Sequence, residues 1–415
     1  MAAELLIMAK QDILSGGHAE IAEYTTNSIH IGQNLLASMP DIVSKYNGKG
    51  LLVADSNTIQ LLDKAVVNSL EHYVIEGKYS ASWKLVESIK AASQNSDFLI
   101  ALGSGTINDI CKYVSHTCGK EYIIFPTAPS MNGYTSKNAS IVLENGIKKS
   151  LKGQLPRDIY ADTYVLTHAP ARLINSGFAD FICRSTARAD WLISHLLLGT
   201  EYSELPFTIT ENSERALLEN YTGLMKRDTD TIMALMQALF LSGVGMIVAG
   251  GSYPASQGEH MVAGVTELLD NHEFLHGERV GVATILMSKL QENICKLRPK
   301  FHVTSLDRSS MEKYFSPKHV DEFCKILSKK YIDHTKAEHI NHILDEKWTQ
   351  ISECIASKTR KSSTIKNALN GLGSPTLPTH IGWNAEKYNS IANVSFVTRD
   401  RFTFLDVAHH IKISI

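Results

Sequence analysis

An open, doubly wound α/β sheet followed by an all-helical domain is the architecture that this sequence predicts. Three observations carry it: continuous apolar runs of strand length before residue 165, amphipathic stretches between them, and the near disappearance of such runs after Pro170. Strands buried on both faces read as unbroken apolar runs, whereas helices packed on a sheet show wider apolar spacing. LLVAD (51–55), DFLIAL (97–102) and EYIIFP (121–126) are the expected strands, with helices over 84–92 and 108–115 between them. Beyond them, helices are expected over 172–198, 212–225, 231–249, 279–294 and 320–330, and a Gly/Pro/Ser/Thr-rich loop over 362–378 before a last helical segment. The domain boundary is placed between 168 and 169, so that 1–168 forms the α/β domain and 169–415 the helical one.

A chain of 415 residues is long enough for two or three domains at roughly 100–200 residues each. Hydrophobic residues make 44% and charged residues 20%, which excludes a disordered chain. Lys plus Arg number 41 against 43 Asp plus Glu, for a net charge of −2, and no long run of one sign offers a surface to nucleic acid or an anionic membrane. Six cysteines lie scattered without a C-x-x-C pair, so they read as reduced thiols, and a cytoplasmic location is expected. Residues 231–251 carry no charge and are about long enough to span a bilayer. Gln237, Ser242, Gly243, Gly245 and Gly250 interrupt that stretch, so a helix buried on all sides is expected and no membrane span.

The chemistry-bearing motifs lie where strands end. In LIALGSGTINDI (99–110) an apolar strand runs into Gly103, Ser104 and Gly105, and a helix opens near Thr106 and Ile107. Free N–H groups and the positive helix end then face one small space, a cradle for phosphate. Asn108 replaces the third glycine of G-x-G-x-x-G, and tight βα packing alone also explains such glycines. Asp55 closes LLVAD; a carboxylate there can accept both hydroxyls of a ribose and repel an added 2′-phosphate, or simply cap a helix. FPTAPSMNGYTS (125–136) places Thr127, Ser130, Asn132 and Ser136 after the next strand, at the edge where open α/β sheets bind ligands, though a plain polar loop reads the same way.

Asp180 in NSGFADFICR, His260 in YPASQGEHMV and His276 in FLHGERVG are the metal candidates. Two imidazoles and one carboxylate leave zinc or iron(II) an open position for substrate oxygen. Spacing alone does not bring positions 180, 260 and 276 together, and a histidine beside glycine also serves in turns. The segment HEFLH (272–276) formally matches the H-E-x-x-H of zinc peptidases, with His272 and His276 as ligands and Glu273 as base. The turn-like Asp270 and Asn271 before it and Gly277 after it argue against that remote alternative.

In this order and at these separations, GSGTINDI, PTAPSMNGYTS, GFADFICRSTARADW, GSYPASQGEH and LHGERVG resemble the sn-glycerol-1-phosphate dehydrogenase family. That family lies in the larger group of iron-containing alcohol dehydrogenases and dehydroquinate synthases, and the resemblance runs from about Asn27 to Leu405. It implies a dehydroquinate synthase-like fold, an N-terminal NAD(P)-binding domain and one divalent metal, zinc before iron(II). Carried over by position, Asp55, Gly103, Ser104, Gly105, Thr106, Ile107, Thr127, Ser130 and Ser136 would touch NAD or NADP, and Asp180, His260 and His276 would hold the metal. Two substrate positions depart from the family pattern: Asn132 stands where an aspartate is usual, and Gly264 where a histidine follows the second ligand by four residues. The expectation is therefore a metal-dependent NAD(P)(H) oxidoreductase of a small phosphorylated polyol with an altered substrate pocket, taking a small-molecule partner and forming a homo-oligomer. The alternatives are a dehydroquinate synthase-like cyclase or lyase that uses NAD transiently, and a catalytically silent ligand-binding homologue.

Overall fold

The computed structural model describes residues 26–270, 274–304 and 306–415. Among the described residues eight strands precede residue 163: β1 (Ser28–Gly32), β2 (Gly50–Asp55), β3 (Glu71–Ile75), β4 (Phe98–Gly103), β5 (Glu121–Pro126), β6 (Asn138–Val142), β7 (Lys148–Lys152) and β8 (Asp158–Asp162). Six form a parallel sheet in the order β1-β8-β5-β4-β2-β3, and β6 pairs antiparallel with β7 in a separate hairpin. The three expected strands are central ones, β2, β4 and β5; every residue of β4 is buried, as the unbroken apolar run required. The edge strand β3 instead begins with exposed residues.

Direction along the sheet reverses between β2 and β4. The chain leaves β2 for β3 on one side and leaves β4 for β5 on the other, while β2 and β4 are hydrogen-bonded neighbours. The carboxyl ends of these two strands therefore flank a topological switch point, where open α/β sheets bind ligands. Asp55 ends β2 and Gly103 ends β4.

By internal contacts the chain divides into two compact units. The sheet unit comprises Met1–Phe181 and Thr208–Ser252, and the helical unit Ile182–Phe207 and Tyr253–Ile415. Residues 208–252 thus cluster with the sheet, although they lie beyond 168. Leu52, Ala54, Ile100, Leu102, Ile123 and Phe125 form a core on one face of the sheet. Helix Thr229–Val248 takes up all but the last three residues of the uncharged stretch; it is long and apolar enough to cross a membrane by length and composition alone, and most of it is buried within the protein.

Three expectations beyond Pro170 need correction, the first being that 212–225 is not one helix but parts of two, Leu205–Glu219 and Tyr221–Met225, which break at Asn220. The stretch 172–198 is two helices, Ala171–Ile182 and Arg184–Leu198, separated at Cys183. The expected loop over 362–378 begins as a helix, Ser362–Gly371, whose Ile365, Ala368 and Leu369 turn inward despite the Ser- and Gly-rich composition. A helix not anticipated at all, His334–Lys358, buries Ala337, Ile340, Leu344, Trp348, Ile351 and Ile355, a stripe at three- and four-residue spacing. Helices Gly258–Leu269 and His276–Cys295 pack on each other in the helical core, to which Val262, Val265, Val280, Ala283 and Met287 contribute. Among the described residues all six cysteines are free thiols.

Candidate active site

In the sheet unit, Ser104 is the N-cap of helix Gly105–Cys118 and its side chain makes no capping bond. The backbone N–H groups of the first turn, Gly105 to Ile107, are thereby left to an anion. A Cβ on Gly103 would come 2.4 Å from Cδ1 and 2.8 Å from Cβ of Ile107, so only glycine lets the helix start this close to the strand. Gly103 O accepts the N–H of Thr127 at 3.2 Å, tying the turn to the loop after β5. This uncapped helix start at a switch point fits the pyrophosphate of a dinucleotide.

Asp55 is already in use as a local cap: Oδ1 accepts the N–H of Asn57 at 2.8 Å and of Thr58 at 2.7 Å, and Oδ2 accepts the Tyr79 hydroxyl. A carboxylate has about four lone-pair sites, and with three taken one remains at Oδ2 for a ribose hydroxyl. In the 127–136 loop, Thr127 and Ser130 are buried near its start. Ser136 serves the loop's own structure: its hydroxyl lies 3.2 Å from Gly133 O and 3.3 Å from Asn138 O. Lys112 reaches the same place from helix Gly105–Cys118, donating to Gly133 O and, at 3.1 Å, to Asn138 O. Burial pulls this amine down to about 8, against the upward pull of Asp109.

Asn132 and Asp180 are brought together. The backbone N–H of Asn132 donates to Asp180 Oδ2 at 3.2 Å, and the contact depends on Gly177, where a Cβ would sit 1.7 Å from Pro129 O. Nδ2 of Asn132 is buried and has no hydrogen-bond partner among the described residues.

In the helical unit, His260 lies in the first turn of helix Gly258–Leu269 and His276 opens helix His276–Cys295. Their ring centroids are 5.1 Å apart. Each Nδ1 is held by its own carboxylate: His260 by Glu259 Oε1 at 2.9 Å and His276 by Glu267 Oε1 at 2.5 Å. Burial would raise Glu259, but the His260 hydrogen bond and charge, with the N–H of Gln257 at 2.7 Å, pull its carboxyl below the usual range. A carboxylate on Nδ1 fixes the tautomer that turns Nε2 to a cation, the arrangement usual behind metal-binding histidines. The pair therefore fits a zinc or iron(II) ion. Glu259 also accepts from Thr186 at 3.0 Å, and Cys183 Sγ comes within 4.8 Å of a His260 ring nitrogen.

The helix start is set by Asp190. Its Oδ2 accepts the N–H of Gly258 at 2.9 Å, and Oδ1 accepts the N–H of Phe404 at 2.9 Å and Gln291 Nε2 at 3.0 Å. Gly264, one turn after His260, has open space where a Cβ would stand, with no atom within 4 Å among the described residues. His272 and Glu273 lie outside the described residues; His276 begins its helix, so no helix carries it as the second histidine of an i, i+4 pair. Glu259, Glu267, Cys183 and Asp190 were not anticipated. Glu259, Cys183 and Asp190 lie inside the motifs that carry the resemblance, whereas Glu267 offered only its spacing, two helical turns after His260.

A family model described as iron-containing alcohol dehydrogenase matches residues 30–170. A glycerol-1-phosphate dehydrogenase [NAD(P)+] of Halalkalibacterium halodurans is 30% identical over 64% of this chain and 71% of its own length. One of the same name from Methanospirillum hungatei is 33% identical over 62% of this chain and 72% of its own. The fold is shared with a sulfoacetaldehyde reductase from Bifidobacterium kashiwanohense solved in complex with NAD+, at TM-score 0.59 and 12% identity, covering 93% of this chain and 97% of that one. With its parallel sheet, its helical C-terminal part and these relatives, the chain belongs to the glycerol-1-phosphate dehydrogenase family and is an enzyme of the iron-containing alcohol dehydrogenase type.

Proposed function

We propose that the protein is a metal-dependent NAD(P)(H) oxidoreductase that interconverts a small phosphorylated polyol and its carbonyl form, with a substrate pocket altered from that of glycerol-1-phosphate dehydrogenases. The observation that carries this reading is the His260 and His276 pair, each fixed at Nδ1 by its own glutamate. Asp180 is the third ligand in this reading, and three protein ligands leave a position for substrate oxygen. When bound, the divalent ion, zinc before iron(II), polarises that oxygen while the nicotinamide ring exchanges hydride with the substrate carbon.

The chain's own residues do the holding. The Gly103, Ser104, Gly105, Thr106 and Ile107 turn binds the pyrophosphate through backbone N–H groups, and Asp55 accepts one ribose hydroxyl at its remaining acceptor site and repels a 2′-phosphate. Thr127, Ser130 and Ser136 border the cofactor, the Ser136 hydroxyl also bonding within its own loop at Gly133 O. Glu259 and Glu267 hold the histidine tautomers. Asn132 donates Nδ2 to a substrate oxygen, and the space at Gly264 admits a substrate bulkier or differently charged than dihydroxyacetone phosphate. The names of the relatives support the phosphorylated polyol. A cytoplasmic homo-oligomer is part of the proposal. It is tested by metal analysis of the purified protein together with a cofactor-dependent screen of phosphorylated triose to pentose compounds. One equivalent of ion and turnover of at least one such compound are expected; a metal-replete protein with no redox turnover across the panel contradicts it.

A further inference from the structure

The C-terminal segment carries two arginines to the loop that precedes His260. Arg399 directly follows the short 3-10 turn Ser395–Thr398, which packs against helix Gly258–Leu269. Its Nη1 donates to Ser256 Oγ at 2.7 Å, four residues before His260. Arg401 donates to Ser256 O, and its guanidinium lies 4.3 Å from the centroid of the Tyr253 ring. Loop residues 253–256 are thereby clamped by two cations approaching from the far end of the chain.

The two arginines are differently engaged. Arg401 is stacked on an aromatic ring, whereas Arg399 is only partly buried and, among the described residues, makes a single hydrogen bond. A guanidinium carries five N–H donors in a planar fork, so most of this fork is unspent. Burial lowers Arg399 from the ordinary arginine value, while the charges of Glu259 and Glu267 hold it up. These are the carboxylates behind His260 and His276. Arg399 is thus a persistent cation within electrostatic reach of Glu259 and Glu267, with donors to spare and its Nη1 held by Ser256, four residues before His260. That is the chemistry of an oxyanion anchor, since a fork of parallel N–H groups matches two oxygens of a phosphate.

We propose that Arg399, oriented by Ser256, binds the anionic group of the substrate, a phosphate monoester or a similar oxyanion. The inference rests on the oxidoreductase reading for the identity of the substrate but not for the anion site itself. One anion chemistry has two sources here, the substrate's phosphate and the 2′-phosphate of NADP, and the proposal assigns Arg399 to the substrate.

The test uses the full-length, metal-loaded protein and inorganic phosphate as the probe. Calorimetric titration should show phosphate binding to the unmodified protein, weakened at least about 20-fold in Arg399→Met and about fivefold in Arg399→Lys, which keeps the charge and loses the fork. Metal content should be unchanged in both, and phosphate should compete with the phosphorylated carbonyl substrate and not with NADP(H). In turnover, the preference for a phosphorylated over an unphosphorylated carbonyl should fall about 100-fold in Arg399→Met. Should Arg399→Met fail to fold, the Arg399→Lys titration decides. Undiminished phosphate affinity in a folded variant, or loss of the metal in Arg399→Lys, would overturn the proposal; the second result would make Arg399 a support for Glu259 and Glu267 instead. Competition against NADP(H) alone would also overturn it. If no compound is turned over at all, the oxidoreductase reading fails while the phosphate titration still judges Arg399.

Discussion

Glu267 Oε1 stands 2.5 Å from Nδ1 of His276, and this contact ties the first residue of one helix to the last turn of the helix before it. A carboxylate there fixes the imidazole's tautomer and raises its basicity toward a cation at Nε2. Outer partners of this kind are worth about 10- to 100-fold in metal affinity. Glu267→Gln should lose that factor in a chelator-competition titration while the helices stay intact by circular dichroism. His260→Ala and His276→Ala should strip the metal and the activity outright, and His272→Ala should do much less.

Cofactor choice should turn on Asp55. Its carboxylate caps the turn at Asn57 and Thr58, so Asp55→Ala would cost about 1 kcal/mol of local stability along with the charge. Asp55→Asn retains an acceptor for the turn and removes the repulsion of a 2′-phosphate. The ratio of kcat/KM for NAD over NADP should fall by about tenfold, equivalent to about 1.4 kcal/mol. Equal efficiency with both cofactors in the unmodified protein would contradict the role.

Substrate choice should turn on Asn132 and Gly264. The buried Nδ2 of Asn132 is a donor where a carboxylate would be an acceptor, and the space at Gly264 can receive an imidazole. The double change Asn132→Asp with Gly264→His should shift the kcat/KM ratio toward dihydroxyacetone phosphate by about tenfold or more, read against a larger phosphorylated carbonyl. High, undiminished efficiency of the unmodified enzyme on dihydroxyacetone phosphate would show that these positions do not set the substrate.

Lys112 makes a pH signature. Its amine falls from 10.5 to about 8 on folding, so between those values the unfolded chain binds more protons than the folded one. Stability gains from this group as pH rises through that window, by up to about 1.4 kcal/mol per pH unit. Lys112→Met should abolish this contribution to the slope of denaturant-measured stability. It should also cost about 2 kcal/mol below pH 8, because Gly133 O and Asn138 O lose their donor.

The parts of the fold legible in the sequence were those where one force dominates. Strands β2, β4 and β5 are buried on both faces and read directly as apolar runs. Strand β8 did not, because DIYAD carries a carboxylate at each end: Asp158 accepts from Tyr46 and Ser28, far off in the chain, and Asp162 caps the helix Thr163–His168. The apolar stripe of helix His334–Lys358 is present in the sequence but is masked by the many charged residues between its members. Of the candidate residues, His260, His276 and Asp180 stood out because their residue types and motifs are distinctive. Asp190 and Arg399 act through contacts made across long stretches of chain, 214 residues between Asp190 and Phe404 and 143 between Arg399 and Ser256, and no local pattern announces such partners.

The most direct measurement is the absorbance at 340 nm of the metal-loaded protein with NADH and a phosphorylated ketone or aldehyde, repeated after chelation. The account predicts a sustained fall over many enzyme equivalents, matched by formation of the alcohol, abolished by the chelator and restored by zinc or iron(II). A change limited to one enzyme equivalent, as transient use of the cofactor would give, or turnover indifferent to chelation, would contradict it.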